Sequence, residues 1–187
     1  MSRRTASRAL LAVVLSVSLA ACGSDDDDAA SPASTSAAEP SAQACETVSP
    51  TAEPDPAVST DLAEKPEVPA ADAAPPCDLV ISDVVVGDGA EATPGSTAAV
   101  KYVGAFYETG EEFDSSWSRS PDETIPVPLG GGGVIEGFDQ GIQGMQVGGR
   151  RMVTIPSDLG YGPEGRAPVI PGDATLVFIM DLVEVTP

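Results

Sequence analysis

One glycine-rich segment, LGGGGVIEGFDQGIQGM at 129–145, constrains the fold of this sequence more than any other. Its apolar members fall at the spacing of one helix face: Ile135, Phe138, Ile142 and Met145. The segment nevertheless contains seven glycines, and a glycine inside a helix costs about 1 kcal/mol relative to alanine. We therefore predict a short helix in which Gly137, Gly141 and Gly144 form a smooth stripe, open to close approach by strand or loop backbone.

The segments around this helix carry strand patterns bounded by turn residues: LVISDVVVG, TAAVKYVGAFYETG, RRMVTI and TLVFIMDLVEV. In the last one, apolar side chains occupy both alternating sets of positions, which predicts a central strand covered on both faces. Only 129–145 has a helical period. We therefore predict an α+β fold, an antiparallel sheet wrapped around one short helix.

Composition and charge exclude several function classes. The chain has 187 residues with 42% hydrophobic content, enough for one modest domain. A formal net charge of −20 disfavours binding to nucleic acid. The sequence contains no histidine, which excludes histidine triads, histidine metal sites and imidazole acid–base chemistry. We expect no nucleic-acid partner, no cofactor and no metal site.

The N-terminal 22 residues have the pattern of an export signal. Three arginines precede an apolar run, 9–19, that is too short to span a bilayer. The run ends in LAAC, which resembles the bacterial lipobox, where cleavage precedes a cysteine that becomes lipidated. The resemblance implies a signal peptide at 1–21, lipidation of Cys22 and an anchor at the outer face of the cytoplasmic membrane. An ordinary signal peptide with a chance cysteine is the alternative.

Residues 22–77 have the composition of a disordered tether. Ala, Pro, Ser, Thr, Asp and Glu dominate, and so few large apolar side chains cannot offset the entropy of ordering. The acidic run 25–28 lacks the spaced ligands and turn glycine of a calcium loop and indicates solvated charge. We predict a folded domain at 78–187.

Two further cysteines, Cys45 and Cys77, lie within the predicted tether. An exported protein with two spare cysteines most often pairs them, so we predict a disulfide. In a mobile tether this bond would add little to domain stability. The pair could instead pin Ser59–Pro69 against the domain as an arm, and two free thiols are the third possibility.

Four motifs in one order resemble the FKBP family, the macrolide-binding peptidyl-prolyl isomerases: VKYVGAFYETGEEFDSSWSR, VIEGFDQGIQGMQVGGRRMVTIP, LGYG and VIPGDATLVF. The resemblance covers 79–185. It implies a half-barrel of about five antiparallel strands curled over the helix, with an apolar pocket between them. It also implies an enzyme that isomerises X-Pro bonds, with proline-containing unfolded or exported polypeptides as partners. The chain stops just past its last strand, so we expect a monomer.

The resemblance also implies which residues form the pocket. Its catalytic residues correspond to Asp114, Tyr161, Ile135 and Phe138. Its other substrate-binding residues correspond to Tyr102, Phe113, Val134, Ile170, Phe178 and Ile125. Members of the family usually have tryptophan at position 138 and an aromatic residue at position 125, so weakened macrolide binding is expected. On periodicity alone, the apolar residues of this set fit an ordinary core equally well.

The proposed chemistry needs no nucleophile. Amide resonance creates the barrier to X-Pro rotation, and a dry apolar pocket favours the less polar twisted form. By family resemblance, the Ile135 backbone N–H and the Tyr161 hydroxyl donate hydrogen bonds to that form. Asp114, held by Arg119, has an electrostatic role. The alternative is a non-catalytic or holdase-like module that binds proline-containing segments on the same fold.

Overall fold

A computed structural model describes residues 45–187, where one sheet packs against one short helix. The strands are β1 Val80–Val85, β2 Thr97–Phe106, β3 Glu112–Ser115, β4 Ile125–Pro128, β5 Arg150–Ile155 and β6 Leu176–Thr186. Helix α1 spans Glu136–Ile142, and a 3₁₀ turn spans Ser157–Leu159. The predicted signal peptide, Cys22 and the first part of the predicted tether lie outside the described residues.

The strand order along the sheet is β1-β5-β6-β2-β3, with β4 also paired to β2. Every pairing of these strands is antiparallel. Strand β6 lies in the middle and pairs with β2 from Thr97 to Phe106. The predicted α+β class, an antiparallel sheet over one short helix, is confirmed. None of the helices within residues 45–187 has the length and apolar character needed to cross a membrane.

Two glycines let α1 lie close to the sheet. A β-carbon at Gly137 would overlap Ile155 Cγ2, and one at Gly141 would sit 2.9 Å from Val153 Cγ2. Both contacts are with β5, so these two glycines allow the close packing that the sequence predicts, although side-chain atoms and not backbone atoms approach them. Gly144 differs, because a β-carbon there would meet no atom within 4 Å and its φ is +78°. It belongs to the turn after the helix and not to the stripe.

We expect Gly137→Ala to lower the free energy of unfolding by about 1–3 kcal/mol, because the added methyl overpacks the contact with Ile155. Gly133→Ala is the matched control, since Gly133 has open space and no left-handed φ. It should change the free energy of unfolding by less than about 0.5 kcal/mol. Urea unfolding measures both variants, and equal losses would contradict the packing role.

The C-terminal end of α1 is held by a side chain from the sheet. Arg151 of β5 donates to the carbonyls of Gly141, at 3.0 Å, and Gln143, at 3.1 Å. The same guanidinium pairs with Asp83 of β1 at 2.6 Å. Since α1 has no basic residue in its last turn, Arg151 supplies the positive charge that favours a helix C-terminus.

The outer face of the sheet is covered by residues 45–77, which we call the arm. Arg150 is fully buried and donates to the arm carbonyls of Ser59, Asp61 and Glu64. Val58 of the arm is 3% exposed. The arm therefore packs on the sheet, although its composition predicts a disordered tether. It covers the second face of β6.

The arm is closed at its base by a disulfide between Cys45 and Cys77, whose Cα atoms lie 5.0 Å apart. The arm also holds the turn between β2 and β3, because the Ala71 N–H donates to the Tyr107 carbonyl at 3.1 Å. Lys65 pairs with Glu112 of β3 at 2.7 Å. The disulfide-pinned arm, left as an alternative by the sequence, is the arrangement that the structure shows.

Candidate active site

An aromatic cluster lies between α1 and the middle of the sheet, with Phe178 of β6 at its centre. The Phe178 ring centroid is 5.1 Å from that of Phe138 and 5.6 Å from that of Phe113, both nearly edge to face. Tyr102 of β2 lies against two of these rings, at 5.8 Å from Phe138 and 6.1 Å from Phe178. Edge-to-face contacts of this kind fix ring positions more tightly than burial alone.

All nine apolar or aromatic residues implied by the family resemblance belong to the hydrophobic core of the domain or pack against it. Four are buried within it: Tyr102, Phe138, Ile170 and Phe178. Five are partly exposed and pack against it: Phe113, Ile125, Val134, Ile135 and Tyr161. We call the four buried residues the floor of the candidate site and the five partly exposed residues its rim.

Phe138 is covered more completely than the sequence led us to expect. The resemblance implies an apolar pocket that includes Phe138, but this side chain is only 3% exposed. A cavity of about 660 Å³ lies beside the aromatic cluster, and Phe138 does not line it.

Two residues that shape the site were missed in the sequence. A β-carbon at Gly104 of β2 would lie 2.7 Å from Phe178 and 2.9 Å from Phe113, so this glycine lets both rings close on the strand. Asp139 of α1 is buried and accepts hydrogen bonds from the Gly130 N–H, at 2.7 Å, and the Gln143 side chain. It holds the glycine loop to the helix. A glycine inside a strand pattern and an acid in a first helical turn were the available signals.

The polar end of the site is a chain of three side chains. The Tyr102 hydroxyl donates to Asp114 Oδ2 at 2.6 Å, and Arg119 Nη1 donates to Asp114 Oδ1 at 3.1 Å. Arg119 also pairs with Glu123 and lies 5.8 Å from the Tyr102 ring centroid. The Asp114 carboxylate is thus held in place at the exposed edge of a buried aromatic floor.

Burial, with the Asp114 hydrogen bond as the next contribution, raises the pKa of Tyr102 to about 12 from an ordinary value of 10.0. A raised pKa means that the stabilising hydrogen bond is fully present below pH 10.0 and is lost as the pH rises through about 12. Burial also raises the pKa of Tyr107, so we expect tyrosinate absorbance to show a step near pH 12 that is smaller by one tyrosine in Tyr102→Phe. A step of unchanged size in this variant would contradict the assignment.

Two potential donors at the rim have no partner within residues 45–187. The Ile135 backbone N–H, just before α1, donates to no acceptor there, and neither does the Tyr161 hydroxyl. Arg166, which is exposed, lies 5.9 Å from the Tyr161 ring centroid. The site therefore offers an apolar surface, two available donors and a held carboxylate, an arrangement suited to binding and polarising a neutral group.

Three comparisons point to one family. The model of the FKBP-type peptidyl-prolyl cis-trans isomerase family matches residues 89–183. A probable FK506-binding protein of Corynebacterium glutamicum is 52% identical over 120 residues, covering 64% of this chain and 98% of the relative. An FK506-binding protein of Streptomyces anulatus is 50% identical over 124 residues, covering 65% of this chain and 98% of the relative. The crystal structure of AtFKBP13 is similar at 35% identity with a TM-score of 0.53, covering 58% of this chain and 93% of that one.

Proposed function

Because the chain belongs to the FKBP-type peptidyl-prolyl cis-trans isomerase family, we propose that its aromatic site accelerates rotation about X-Pro bonds by desolvation and hydrogen bonding, without a covalent intermediate. The observation that carries this mechanism is the combination of a buried, mostly aromatic floor with two rim donors that have no partner among residues 45–187. No general base or metal is needed, because rotation breaks no bond.

The physical basis is the polarity of the amide. A planar X-Pro amide gains resonance and is stabilised by water, and rotation must cross a barrier of about 18–20 kcal/mol. An apolar surface removes that water and disfavours the planar form relative to the twisted one. A ten-thousandfold acceleration needs about 5.4 kcal/mol. Desolvation together with one or two hydrogen bonds made best by the twisted form is of that size.

Seven residues of the site have a role in this proposal. The Ile135 N–H and the Tyr161 hydroxyl donate to carbonyl oxygens of the bound peptide. Asp114 acts through its charge on the carbon of the rotating amide, and Tyr102 and Arg119 hold it in position. Phe138 and Phe178 support the prolyl ring from below.

The test is isomerisation of short X-Pro peptides in a protease-coupled assay. We expect Tyr161→Phe, which removes a hydrogen-bond donor, and Asp114→Asn, which removes a charge, each to lower kcat/KM about tenfold. Phe138→Ala should lower it further, because it empties the floor. Asp88→Asn removes an exposed carboxylate from a loop away from the site and is the matched control. Peptide binding without turnover by the unaltered protein would support the non-catalytic module.

In the cell, we propose that the protein assists folding of exported proteins at the cell envelope, lipid-anchored through Cys22 at the outer face of the cytoplasmic membrane and acting as a monomer. The export pattern at 1–22 supports this location. Mass spectrometry of the mature protein tests the anchor, because cleavage before Cys22 and an added acyl mass must appear together. We further propose that macrolides bind weakly, since Phe138 and Ile125 offer less aromatic surface than the residues usual in the family.

A further inference from the structure

A second concave site lies beside the aromatic cluster, at the end of the sheet where β2 ends and β6 begins. This groove has a volume of about 660 Å³, within the range of roughly 300–1,000 Å³ typical of ligand sites. Its walls come from the base of the arm, the turn between β2 and β3, the 3₁₀ turn and the loop 169–175. We propose that the groove is an extended substrate subsite, which binds a basic stretch of the same polypeptide whose X-Pro bond occupies the aromatic site. This inference rests on the proposed isomerase function and specifies its substrate class.

The groove and the aromatic site share their dividing wall. Phe106 lines the groove, and its ring lies 5.2 Å from that of Phe113 on the rim of the aromatic site. Val169 and Pro171 also line the groove, while Ile170 between them is buried in the aromatic cluster. A polypeptide held at the rim therefore needs only a few further residues to enter the groove, since each extended residue spans about 3.3 Å.

The charge of the groove specifies the chemistry of its occupant. Four exposed carboxylates stand along it: Glu108, Glu111, Asp158 and Asp173. No lysine or arginine lines it, and none of the four carboxylates forms an ion pair or accepts a side-chain hydrogen bond within residues 45–187. By contrast, Asp114 and Glu112, on neighbouring β3, are both paired with cations. A segment with lysine or arginine side chains complements this unpaired charge.

The apolar part of the groove suits the stems of those side chains. Phe106, four prolines and Val169 line it, and Val169 is 54% exposed although it is a large apolar residue. Lysine and arginine bury their methylene stems on such surfaces and keep their charged ends toward carboxylates. An acidic segment meets the same apolar surface but is repelled by the four carboxylates of the groove. The discrimination we infer is therefore between basic and acidic flanking sequence.

The experiment compares three peptides that share one X-Pro core. The first is the short core alone, the second carries a lysine-containing extension and the third carries a glutamate-containing extension. The two extended peptides are each made with the extension on either side of the core. Exchange between cis and trans signals in NMR gives kcat/KM without a coupling protease. We expect the lysine peptide to exceed the glutamate peptide about tenfold at low salt, with the gap shrinking as added salt screens the charges. Equal rates for both extended peptides would overturn the proposal.

A quadruple variant assigns the effect to the groove: Glu108→Gln, Glu111→Gln, Asp158→Asn and Asp173→Asn. It should lose the preference for lysine and keep the rate on the short peptide. The matched control makes the same change in net charge at exposed carboxylates elsewhere: Glu53→Gln, Asp88→Asn, Glu91→Gln and Glu184→Gln. An equal loss of preference in both variants would show a net-charge effect and would also overturn the proposal.

The proposed catalysis and the proposed subsite can fail independently of each other. If the unaltered protein does not turn over the short peptide, the isomerase function is wrong, and anisotropy of the labelled lysine peptide then tests the groove alone. Binding that weakens about tenfold in the groove variant but not in the control would support the subsite. Binding that is unchanged in the groove variant would exclude it.

Discussion

Replacing Arg150 with methionine is expected to lower the free energy of unfolding by about 3–5 kcal/mol, the usual cost of breaking a buried ion pair by removing one partner. The Arg150 side chain is 0% exposed and pairs with Asp181 at 2.6 Å and 2.7 Å. Its remaining N–H groups donate to three carbonyls of the arm at 2.7–3.0 Å. Methionine has similar length but no donor, so it leaves one carboxylate and three carbonyls without partners.

Urea unfolding followed by tryptophan fluorescence measures the loss. Arg166→Met is the matched control, because Arg166 is exposed and forms no ion pair within residues 45–187, and it should shift the free energy by less than about 0.5 kcal/mol. If Arg150→Met does not fold, Arg150→Lys keeps the charge with fewer donors and should show an intermediate loss. A loss below about 1 kcal/mol in the methionine variant would mean that Arg150 does not hold the arm on the sheet.

The loss of stability in Arg150→Met should depend on pH. Burial raises the pKa of Asp181 above its ordinary 3.8, and Arg150 opposes that rise. Without Arg150, the pKa should rise further, so the folded state holds a proton that the unfolded state releases. In Arg150→Met, the contribution of Asp181 to the free energy of unfolding is then fully present below pH 3.8 and declines as the pH rises through the folded-state pKa of Asp181. The defect of Arg150→Met should therefore be smaller at about pH 4.5 than at about pH 8.

The parts of this fold that the sequence revealed are those with a periodic apolar pattern. Strand β6 alternates buried residues on both faces, and α1 places Phe138 and Ile142 at helical spacing against glycines that meet β5. These signals are local, since each depends on residues a few positions apart. The motifs around Tyr102, Asp114 and Tyr161 were informative for another reason, because several in one order resemble a known family.

The arm was misjudged because its attachment leaves no local pattern. It has few large apolar side chains, and its strongest contacts use backbone carbonyls, which every sequence has. The partner of those carbonyls, Arg150, lies 86–91 residues away along the chain. The coverage of Phe138 was missed for a related reason, since it depends on how closely rings from three separate elements approach one another.

Removing the disulfide with Cys45→Ala and Cys77→Ala is expected to lower the free energy of unfolding by about 2–4 kcal/mol. Closing a loop with a separation of 32 residues restricts the unfolded chain, by about 3.7 kcal/mol on the entropic model. Because the arm packs on the sheet, unfolding of the domain releases that loop, and the restriction becomes domain stability. Urea unfolding of the double variant and of the unaltered protein, each with and without reductant, measures the effect. Reductant should destabilise only the unaltered protein, and coincident unfolding curves would contradict the prediction.

The losses of unfolding free energy caused by Arg150→Met and by removal of the disulfide should not be additive. If Arg150 is what holds the arm on the sheet, then in Arg150→Met the arm is free in the folded state as well as in the unfolded state. The disulfide then closes the same loop in both states and no longer favours folding. Removing it in the Arg150→Met background should therefore cost less than about 1 kcal/mol, which gives a coupling energy of roughly 1–3 kcal/mol between sites that share the arm. Additive losses would instead mean that the other contacts of the arm, with β1, with the β2–β3 turn and with β3, are enough to keep it docked.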